Sequence, residues 1–192
     1  MKICIYCASS DKISSGYFDA TEKLALALIQ QNIEVVYGGG SSGLMGKLAD
    51  VMLANGGKIK GIMPRFMNEV EWAHKKLEDI EFTETMHERK AKFLENIDGL
   101  VALPGGTGTL EELLEAMTLK KLGIYTKPIV ILNTLNYYET LKLMLQQCVT
   151  ENFMLERHTD MWTFVDEPDQ VIPALLSAKT WDNNAIHFAR VS

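Results

Sequence analysis

Residues 97–123 read IDGLVALPGGTGTLEELLEAMTLKKLG, and this stretch decides the fold. The apolar run at 100–103 is typical of a strand that is buried on both faces. Residues 104–108, PGGTG, end that run in a tight turn whose backbone N–H groups can approach a ligand closely. Thr109 is the expected N-cap of the helix that follows. A glycine turn at the N-terminus of a helix predicts an anion site, most often for phosphate.

Glu112 has two interpretations at this stage. It lies three residues after Thr109, so the two residues match a capping box, in which the glutamate side chain returns to the N-cap amide. The spacing alone favours this structural role. A carboxylate beside an anion site is also typical of a group that takes part in chemistry. Both interpretations stay open on the sequence alone.

Length and composition favour one domain with a sizeable core, since the chain has 192 residues of which 47% are hydrophobic. A formal charge of −6 argues against a nucleic-acid partner, because no basic stripe dominates. No apolar run is long enough to span a membrane, and we expect a cytoplasmic protein without membrane contact.

The three cysteines do not form a metal or redox motif. Cys4 and Cys7 lie in a predicted strand at 2–7, and residues three apart in a strand point to opposite faces. We therefore expect Cys4, Cys7 and Cys148 to be small buried or half-buried side chains, and we expect no metal site.

Predicted strands and helices alternate along the whole chain. Strands are predicted at 2–7, 33–37, 58–63, 80–83, 100–103, 128–132 and 161–165. Helices are predicted at 17–31, 44–54, 85–96, from 109, at 137–150 and from 168. This order predicts an α/β fold, a Rossmann-like doubly wound parallel sheet with helices on both faces. A single domain at 1–179 is expected, and a tail at 180–192 that is mobile or packs on a partner.

A second glycine loop, GGGSSG at 38–43, matches the dinucleotide fingerprint in its spacing. The next strand ends GIMPR at 61–65, without the acid that would hold a ribose hydroxyl of NAD. An NADP-like interpretation that uses Arg65 stays open. The loop is not a Walker A motif, because Leu48 stands where the metal-binding hydroxyl would be.

Three predicted strands are followed by loops rich in glycine or serine, at 8–10, 38–43 and 105–109. Loops after parallel strands gather at the carboxyl edge of the sheet, so we expect a mononucleotide or a sugar phosphate there. Arg89 and Lys90 begin the helix before the central strand and can reach the same edge. Arginine offers a planar fork to a phosphate or carboxylate, and lysine a point charge.

Two motifs in combination carry a resemblance to a known family. Residues 104–112 read PGGTGTLEE, and residues 86–90 upstream read MHERK. With these motifs the chain resembles the LONELY GUY family, the cytokinin riboside 5′-monophosphate phosphoribohydrolases, whose members are often labelled lysine decarboxylase-like. Shorter matches carry the similarity to about residue 165: CASS at 7–10, YGGG at 37–40, GLMG at 43–46, IMP at 62–64 and LGIYTKP at 122–128.

The resemblance implies a Rossmann-like fold and hydrolysis of the N-glycosidic bond of adenosine 5′-monophosphate or an N6-substituted form. The products are the free base and ribose 5-phosphate, and no cofactor is implied. Arg89 and Glu112 match the catalytic pair of the family. The family pattern and the strand-end loops together predict these substrate-binding residues: Ser9, Gly40, Gly43, Glu71, Met86, Lys90, Gly105, Gly106, Thr107, Gly108, Thr109, Glu111 and Thr118.

Two alternative functions remain at this stage: a non-catalytic nucleotide or cofactor carrier, and a general AMP nucleosidase that ignores the N6 group. The Arg89 and Glu112 pair favours an enzyme, because a carrier needs the glycine loops but not the acid. Lysine decarboxylation would need a lysine in a pyridoxal-phosphate context, which the sequence does not show.

The family is usually dimeric, so the resemblance also implies a homodimer, with active sites near the interface. Leu119 lies off the apolar stripe of its predicted helix and is expected to face a partner. The alternative is a monomer in which a neighbouring helix covers Leu119.

Overall fold

The computed structural model describes residues 1–68 and 73–190. Within these residues seven parallel strands form one sheet, in the order β4-β3-β2-β1-β5-β6-β7. The strands are β1 (Lys2–Tyr6), β2 (Glu34–Tyr37), β3 (Ile59–Pro64), β4 (Ile80–Thr83), β5 (Gly99–Ala102), β6 (Ile129–Leu132) and β7 (Thr163–Val165). The α-helices are α1 (Ser15–Gln30), α2 (Gly43–Ala54), α3 (Arg65–Asn68), α4 (Met86–Phe93), α5 (Thr107–Lys121), α6 (Glu139–Thr150) and α7 (Val171–Ser177). None of the described helices is long and apolar enough to cross a membrane.

The sheet is doubly wound, which confirms the predicted fold class. From β1 the chain runs outward through β2, β3 and β4, and then crosses back to β5 on the other side of β1. Leu24 of α1 and Leu48 of α2 pack on one face of the sheet, in the same cluster as Leu175 of α7. Phe93 of α4, Leu113 of α5 and Leu145 of α6 belong to the cluster on the other face.

The cysteines of the first strand lie on opposite faces of the sheet, as predicted. Cys4 belongs to the cluster beneath α4, α5 and α6, whereas Cys7 belongs to the cluster beneath α1 and α2. All three cysteines are free, and Cys148 is half-buried. Burial raises the pKa of the Cys4 and Cys7 thiols, so both stay protonated at neutral pH.

Some predicted boundaries are wrong by a few residues, because short 3₁₀ turns occupy the ends of the expected elements. The strand predicted from residue 161 begins at Thr163, since a 3₁₀ turn extends through Met161. The helix predicted from residue 137 begins at Glu139, after a 3₁₀ turn at Thr134–Asn136. The helix predicted from residue 168 likewise follows a 3₁₀ turn, at Pro168–Gln170.

The described part of the C-terminal segment, through Arg190, packs on helix α5 of the same chain. The Trp181 side chain is 7% exposed, and its Nε1–H donates to the Lys120 carbonyl at 2.6 Å. Trp181, Ala185 and Met161 form a small cluster of their own. An indole needs both an apolar contact and an acceptor when it is buried, and the end of α5 supplies the acceptor.

This packing predicts that Trp181→Ala destabilises the protein by about 3 kcal/mol, the usual cost of truncating a buried aromatic residue. Urea unfolding at equilibrium measures the change. Leu176→Ala is the control, because Leu176 is 73% exposed and its truncation is expected to cost less than about 0.5 kcal/mol. Equal stability of Trp181→Ala and the native protein would show that the tail contributes nothing to the fold.

Candidate active site

A crevice opens where the sheet changes direction, between β1 and β5. The loops that follow these two strands lead to opposite faces, so they separate at the carboxyl edge, where α/β proteins bind ligands. The Ala8 N–H donates to the Pro104 carbonyl at 3.2 Å and joins the two loops at the base of the crevice. The cavity has a volume of 330 Å³ and is lined by residues of β1, α4 and α5, among others.

The N-cap of helix α5 lies three residues earlier than predicted, and this changes the interpretation of Glu112. The N-cap is Gly106, which has no side chain to bond to the first turn, so the prediction that Thr109 is the N-cap is wrong. Thr109 lies inside the first turn and is 6% exposed. The helix can start early because Gly105 allows a close approach: a Cβ there would lie 2.1 Å from Thr109 Oγ1. The capping box therefore does not form.

Glu112 instead pairs with Arg89 across the crevice. Arg89 Nη1 donates to Glu112 Oε1 at 3.1 Å, and the two side chains are only 10% and 11% exposed. The guanidinium is fixed by two further contacts: Nε donates to the Ile62 carbonyl at 3.1 Å, and Cζ lies 4.7 Å from the centre of the Phe93 ring. The structure thus brings together the two residues that the sequence predicted as the catalytic pair.

Gly38 makes room for this arginine. A Cβ at Gly38 would lie 2.7 Å from Arg89 Nη2 and 2.8 Å from Met45 Sδ. A larger residue at this position would push against the guanidinium and the Met45 thioether. The first glycine of the second glycine loop therefore leaves room for the Arg89 side chain.

Burial raises the pKa of Glu112 from 4.5 to about 7, and the nearby Arg89 guanidinium limits that rise. The neighbouring carboxylates of Glu111 and Glu115 raise the pKa of Glu112 further, and Lys90 lowers it. A carboxyl group that titrates near neutral pH can exchange a proton in either direction at low cost.

Most of the predicted substrate-binding residues of the central turn line the cavity. The lining includes the predicted residues Ser9, Met86, Gly106, Thr107, Gly108, Thr109 and Glu111. A Cβ at Gly106 or Gly108 would meet no atom within 4 Å, so the space beside both glycines is open to a ligand. The first-turn N–H groups of α5 and the positive end of its dipole face this space, which is the arrangement of an anion site.

Other predicted residues lie outside the cavity lining. These are Gly40, Gly43, Lys90, Gly105 and Thr118, whereas Glu71 falls outside the described residues. The Gly43 N–H donates to the Asp11 carboxylate at 2.6 Å. In a dinucleotide-binding loop this N–H group would instead donate to the pyrophosphate. Arg65, the candidate for an NADP phosphate, pairs with Glu84 at 2.8 Å.

Lys90 joins α4 and α5, the two helices that carry Arg89 and Glu112. Its ammonium group lies 2.5 Å from Glu111 and 2.9 Å from Glu115, so it bridges α4 to α5. The two hydrogen bonds raise the pKa of Lys90, which stays charged at neutral pH. The positive charge of Lys90 thereby partly offsets the negative charges of Glu111 and Glu115, the two carboxylates nearest to Glu112 in the sequence.

Sequence reasoning missed an apolar wall of the cavity. Lining residues that were not predicted include Tyr6, Gly38, Met45, Met63, Met67 and Phe93. Met45 lies in α2, Met63 in β3 and Met67 in α3, and Met86 adds a fourth methionine from α4. No local pattern marks such a wall, because its members meet only in the folded chain. Thioether side chains are flexible and polarizable, so they adapt to an apolar group of irregular shape.

A larger cavity of 630 Å³ lies at the amino edge of the sheet, near the starts of β2, β3 and β4. Its lining includes Glu34, Asp50 and Asp79. The helix end among its described lining residues is the C-terminus of α2, at Leu53 and Ala54, whose dipole does not favour an anion. Ligands of parallel sheets bind at the carboxyl edge, so the smaller crevice is the better candidate.

Comparisons with known proteins show the family of the chain. The family model described as "Possible lysine decarboxylase" matches residues 45–175. Cytokinin riboside 5′-monophosphate phosphoribohydrolase LOG2 of Arabidopsis thaliana is 34% identical over 197 residues, which cover 97% of this chain and 92% of the relative. LOG3 of the same plant is 40% identical over 153 residues, which cover 80% of this chain and 71% of the relative.

Solved structures share the fold at low sequence identity. The molybdenum cofactor carrier protein of Chlamydomonas reinhardtii matches with a TM-score of 0.70 and 17% identity, over 92% of this chain and 96% of that one. The molybdenum cofactor binding protein of Rippkaea orientalis matches with a TM-score of 0.66 and 15% identity, over 92% and 95%. At this identity the likeness concerns the fold alone.

The fold and the crevice define a Rossmann-like protein with an anion site and a buried arginine–glutamate pair. The family model and the relatives show more: the chain belongs to the LONELY GUY (LOG) family of cytokinin riboside 5′-monophosphate phosphoribohydrolases.

The burial of Glu112 predicts a carboxyl group that titrates near pH 7 in the folded protein, rather than near 4.5. NMR titration of ¹³C-labelled glutamate side chains measures this value, and Glu112→Gln assigns the signal. Arg89→Met is expected to raise the pKa of Glu112 further, because the guanidinium no longer opposes the effect of burial.

Arg65→Met is the matched control, because it removes an exposed arginine that pairs with Glu84. It should leave the Glu112 titration unchanged. A Glu112 signal that titrates near 4.5 in the native protein would contradict the electrostatics of the site.

Proposed function

We propose that this protein hydrolyses the N-glycosidic bond of adenosine 5′-monophosphate or its N6-substituted forms and releases the free base and ribose 5-phosphate. One observation carries the proposal: a buried carboxyl group of raised pKa, paired with Arg89, borders the same cavity as the open N-terminus of α5. The printed names of the curated relatives describe the same class of reaction.

The geometry suggests a division of roles along the cavity. The first turn of α5 binds the 5′-phosphate through backbone N–H groups, and that binding energy helps to orient the ribose. Cleavage of the bond from ribose C1′ to the base develops positive charge on the sugar, which the Glu112 carboxylate stabilises. Glu112 then accepts a proton from the water that attacks C1′, and the bond's electron pair leaves with the base. The base takes up a proton from solvent, and Glu112 returns its own proton to solvent, so the net reaction consumes one water.

Arg89 orients Glu112 and offers its remaining N–H groups to the ribose or to the attacking water. Glu112 must be ionised for this role, so turnover should fall as the pH decreases through about 7. The substrate contacts of Ser9, Thr107, Thr109 and Glu111 are part of the proposal. Those of the residues outside the cavity lining remain predictions.

The methionine wall favours N6-substituted nucleotides over plain AMP. Met45, Met63, Met67 and Met86 give the cavity a flexible apolar side. An apolar substituent on the base gains free energy when these thioethers remove it from water. Plain adenine, which is more polar at this position, gains less.

The Glu112 carboxyl group distinguishes an enzyme from a nucleotide carrier. A nucleotide carrier needs the glycine turn and the helix N-terminus, but it gains no affinity for an anion from a carboxylate beside the site. The placement of Glu112 in this cavity is therefore the observation that favours catalysis over storage.

We also propose a homodimer that forms through the outer surface of α5 and its following turn. Leu114 is 42% exposed and Ile124 is 70% exposed, and both are large apolar residues. Leu119, the residue expected at the interface, packs in part against the core cluster beneath α5. Leu114 is therefore a better probe of the interface than Leu119.

Glu112→Gln should lower turnover of AMP by about a hundredfold or more, while ribose 5-phosphate still binds. Glutamine keeps the size of the side chain and a hydrogen bond to Arg89, but it cannot carry the negative charge. Release of adenine, followed by chromatography, measures turnover, and calorimetry measures binding. Glu115→Gln is the control from the next turn of α5 and should keep most of the turnover. Near-native turnover in Glu112→Gln would remove the catalytic role.

The dimer predicts a mass in light scattering of twice the chain mass of 21.5 kDa. Leu114→Asp should shift the mass toward the monomer, because burying an unpaired carboxylate at an apolar interface is costly. Leu176→Asp places the same charge on α7, where Leu176 is 73% exposed, and should leave the mass unchanged. A native protein that scatters as a monomer at micromolar concentration would contradict the proposal.

A further inference from the structure

The loop after β6 contains two consecutive residues in the left-handed region, and neither is a glycine. Leu135 has φ +54° and Asn136 has φ +59°. Leucine is disfavoured in this region because its Cβ approaches the backbone too closely. Leu135 is also 61% exposed, so burial of its side chain does not explain the conformation. Such strain persists only where surrounding contacts hold it, and it is typical of functional sites.

The contacts that hold this loop come from Asn133 at its start. The Asn133 side chain accepts a hydrogen bond from the Tyr138 N–H at 2.7 Å and donates one to Asp166 at 3.2 Å. The turn at Thr134–Asn136 directs Tyr137 and Tyr138 toward the loop that follows β5. Their rings meet edge to face, with centroids 5.0 Å apart and an angle of 84° between the planes.

Both tyrosines donate to carbonyl groups of the segment that leads into the anion site. The Tyr138 hydroxyl donates to the Leu103 carbonyl at 2.7 Å, and the Tyr137 hydroxyl donates to the Gly105 carbonyl at 2.6 Å. Tyr138 is 1% exposed and Tyr137 is 42% exposed. The loop after β6 therefore supports the glycine turn from behind, although neither tyrosine lines the cavity.

The bond to Gly105 has a direct consequence for the next amide. The Gly105 carbonyl and the Gly106 N–H belong to one trans peptide, so they point in opposite directions. Holding the carbonyl toward Tyr137 keeps the Gly106 N–H directed away from it. A peptide between two glycines flips readily because neither residue has a Cβ. A flipped peptide would present a carbonyl oxygen, instead of an N–H group, to a bound anion.

We propose that Tyr137 and Tyr138 are positioning residues of the anion site. Tyr137 fixes the Gly105–Gly106 peptide so that its N–H group serves the 5′-phosphate, and Tyr138 anchors the preceding segment at the Leu103 carbonyl. The positioning role rests on the proposed function in one respect: the proposed function identifies the anion as a 5′-phosphate. The hydrogen bond to the carbonyl also polarises the peptide and strengthens its N–H group as a donor. The strained turn at Leu135 and Asn136 is the structural cost of bringing both hydroxyls to this segment.

Tyr137→Phe tests the inference, because it removes one hydroxyl and leaves the ring in place. Calorimetry with ribose 5-phosphate should show binding about two to twelve times weaker than in the native protein, the range expected for one lost hydrogen bond. With AMP the KM should rise by a similar factor and kcat should change less, because the phosphate is bound alike in the ground state and the transition state. The unfolding temperature should change little, since water can reach Tyr137.

Tyr125→Phe is the matched control. It removes a hydroxyl that donates to the Pro128 carbonyl at 3.3 Å, and Tyr125 lines a cavity away from the crevice, with Asn96 and Asp98. Ribose 5-phosphate should bind to this variant as it does to the native protein. Tyr138→Phe gives an independent second reading, provided that circular dichroism shows a native fold, and it should weaken binding in the same direction.

Equal affinity of Tyr137→Phe and the native protein for ribose 5-phosphate would overturn the inference, as would an equal loss in Tyr125→Phe. The binding measurement does not require turnover, so the two proposals can fail separately. Tight binding that depends on Tyr137, without release of base from any nucleotide, would support the positioning role and contradict the enzymatic one.

Discussion

The site depends on one buried ion pair, between Arg89 and Glu112. Both side chains leave water almost completely, so each would be costly to bury without the other. The pair is imperfectly compensated, because burial still raises the pKa of Glu112 to about 7. A carboxyl group whose pKa lies near 7 exchanges protons readily at neutral pH, which suits the role proposed for Glu112.

Several neighbouring residues hold this pair beside the N-terminus of α5. Gly38 leaves the space that the guanidinium occupies, and Lys90 ties α4 to α5 beside it. The early start of α5 at Thr107 leaves its first N–H groups free for a ligand. The switch of direction between β1 and β5 then opens the crevice in which the acid and the anion site meet.

The sequence predicted the fold class well, since alternating strands and helices leave few topologies. It also predicted Arg89 and Glu112, but it could not decide what Glu112 does. The two roles of Glu112 differ in whether the N-cap of α5 is Thr109 or Gly106, and the close packing of Thr109 on Gly105 becomes visible only in the folded chain. The methionine wall and the hydroxyl of Tyr137 were beyond sequence reasoning, because they act across long separations in the chain.

Analysis of the reaction products is the most direct test of N-glycosidic bond hydrolysis by this protein. The native protein is incubated with AMP and with N6-isopentenyl-AMP, and both reactions are separated by chromatography. Our prediction is free base and ribose 5-phosphate in equal amounts, with faster release from the N6-substituted nucleotide. Complete recovery of both intact nucleotides, from folded protein that binds them, would contradict it and identify a carrier.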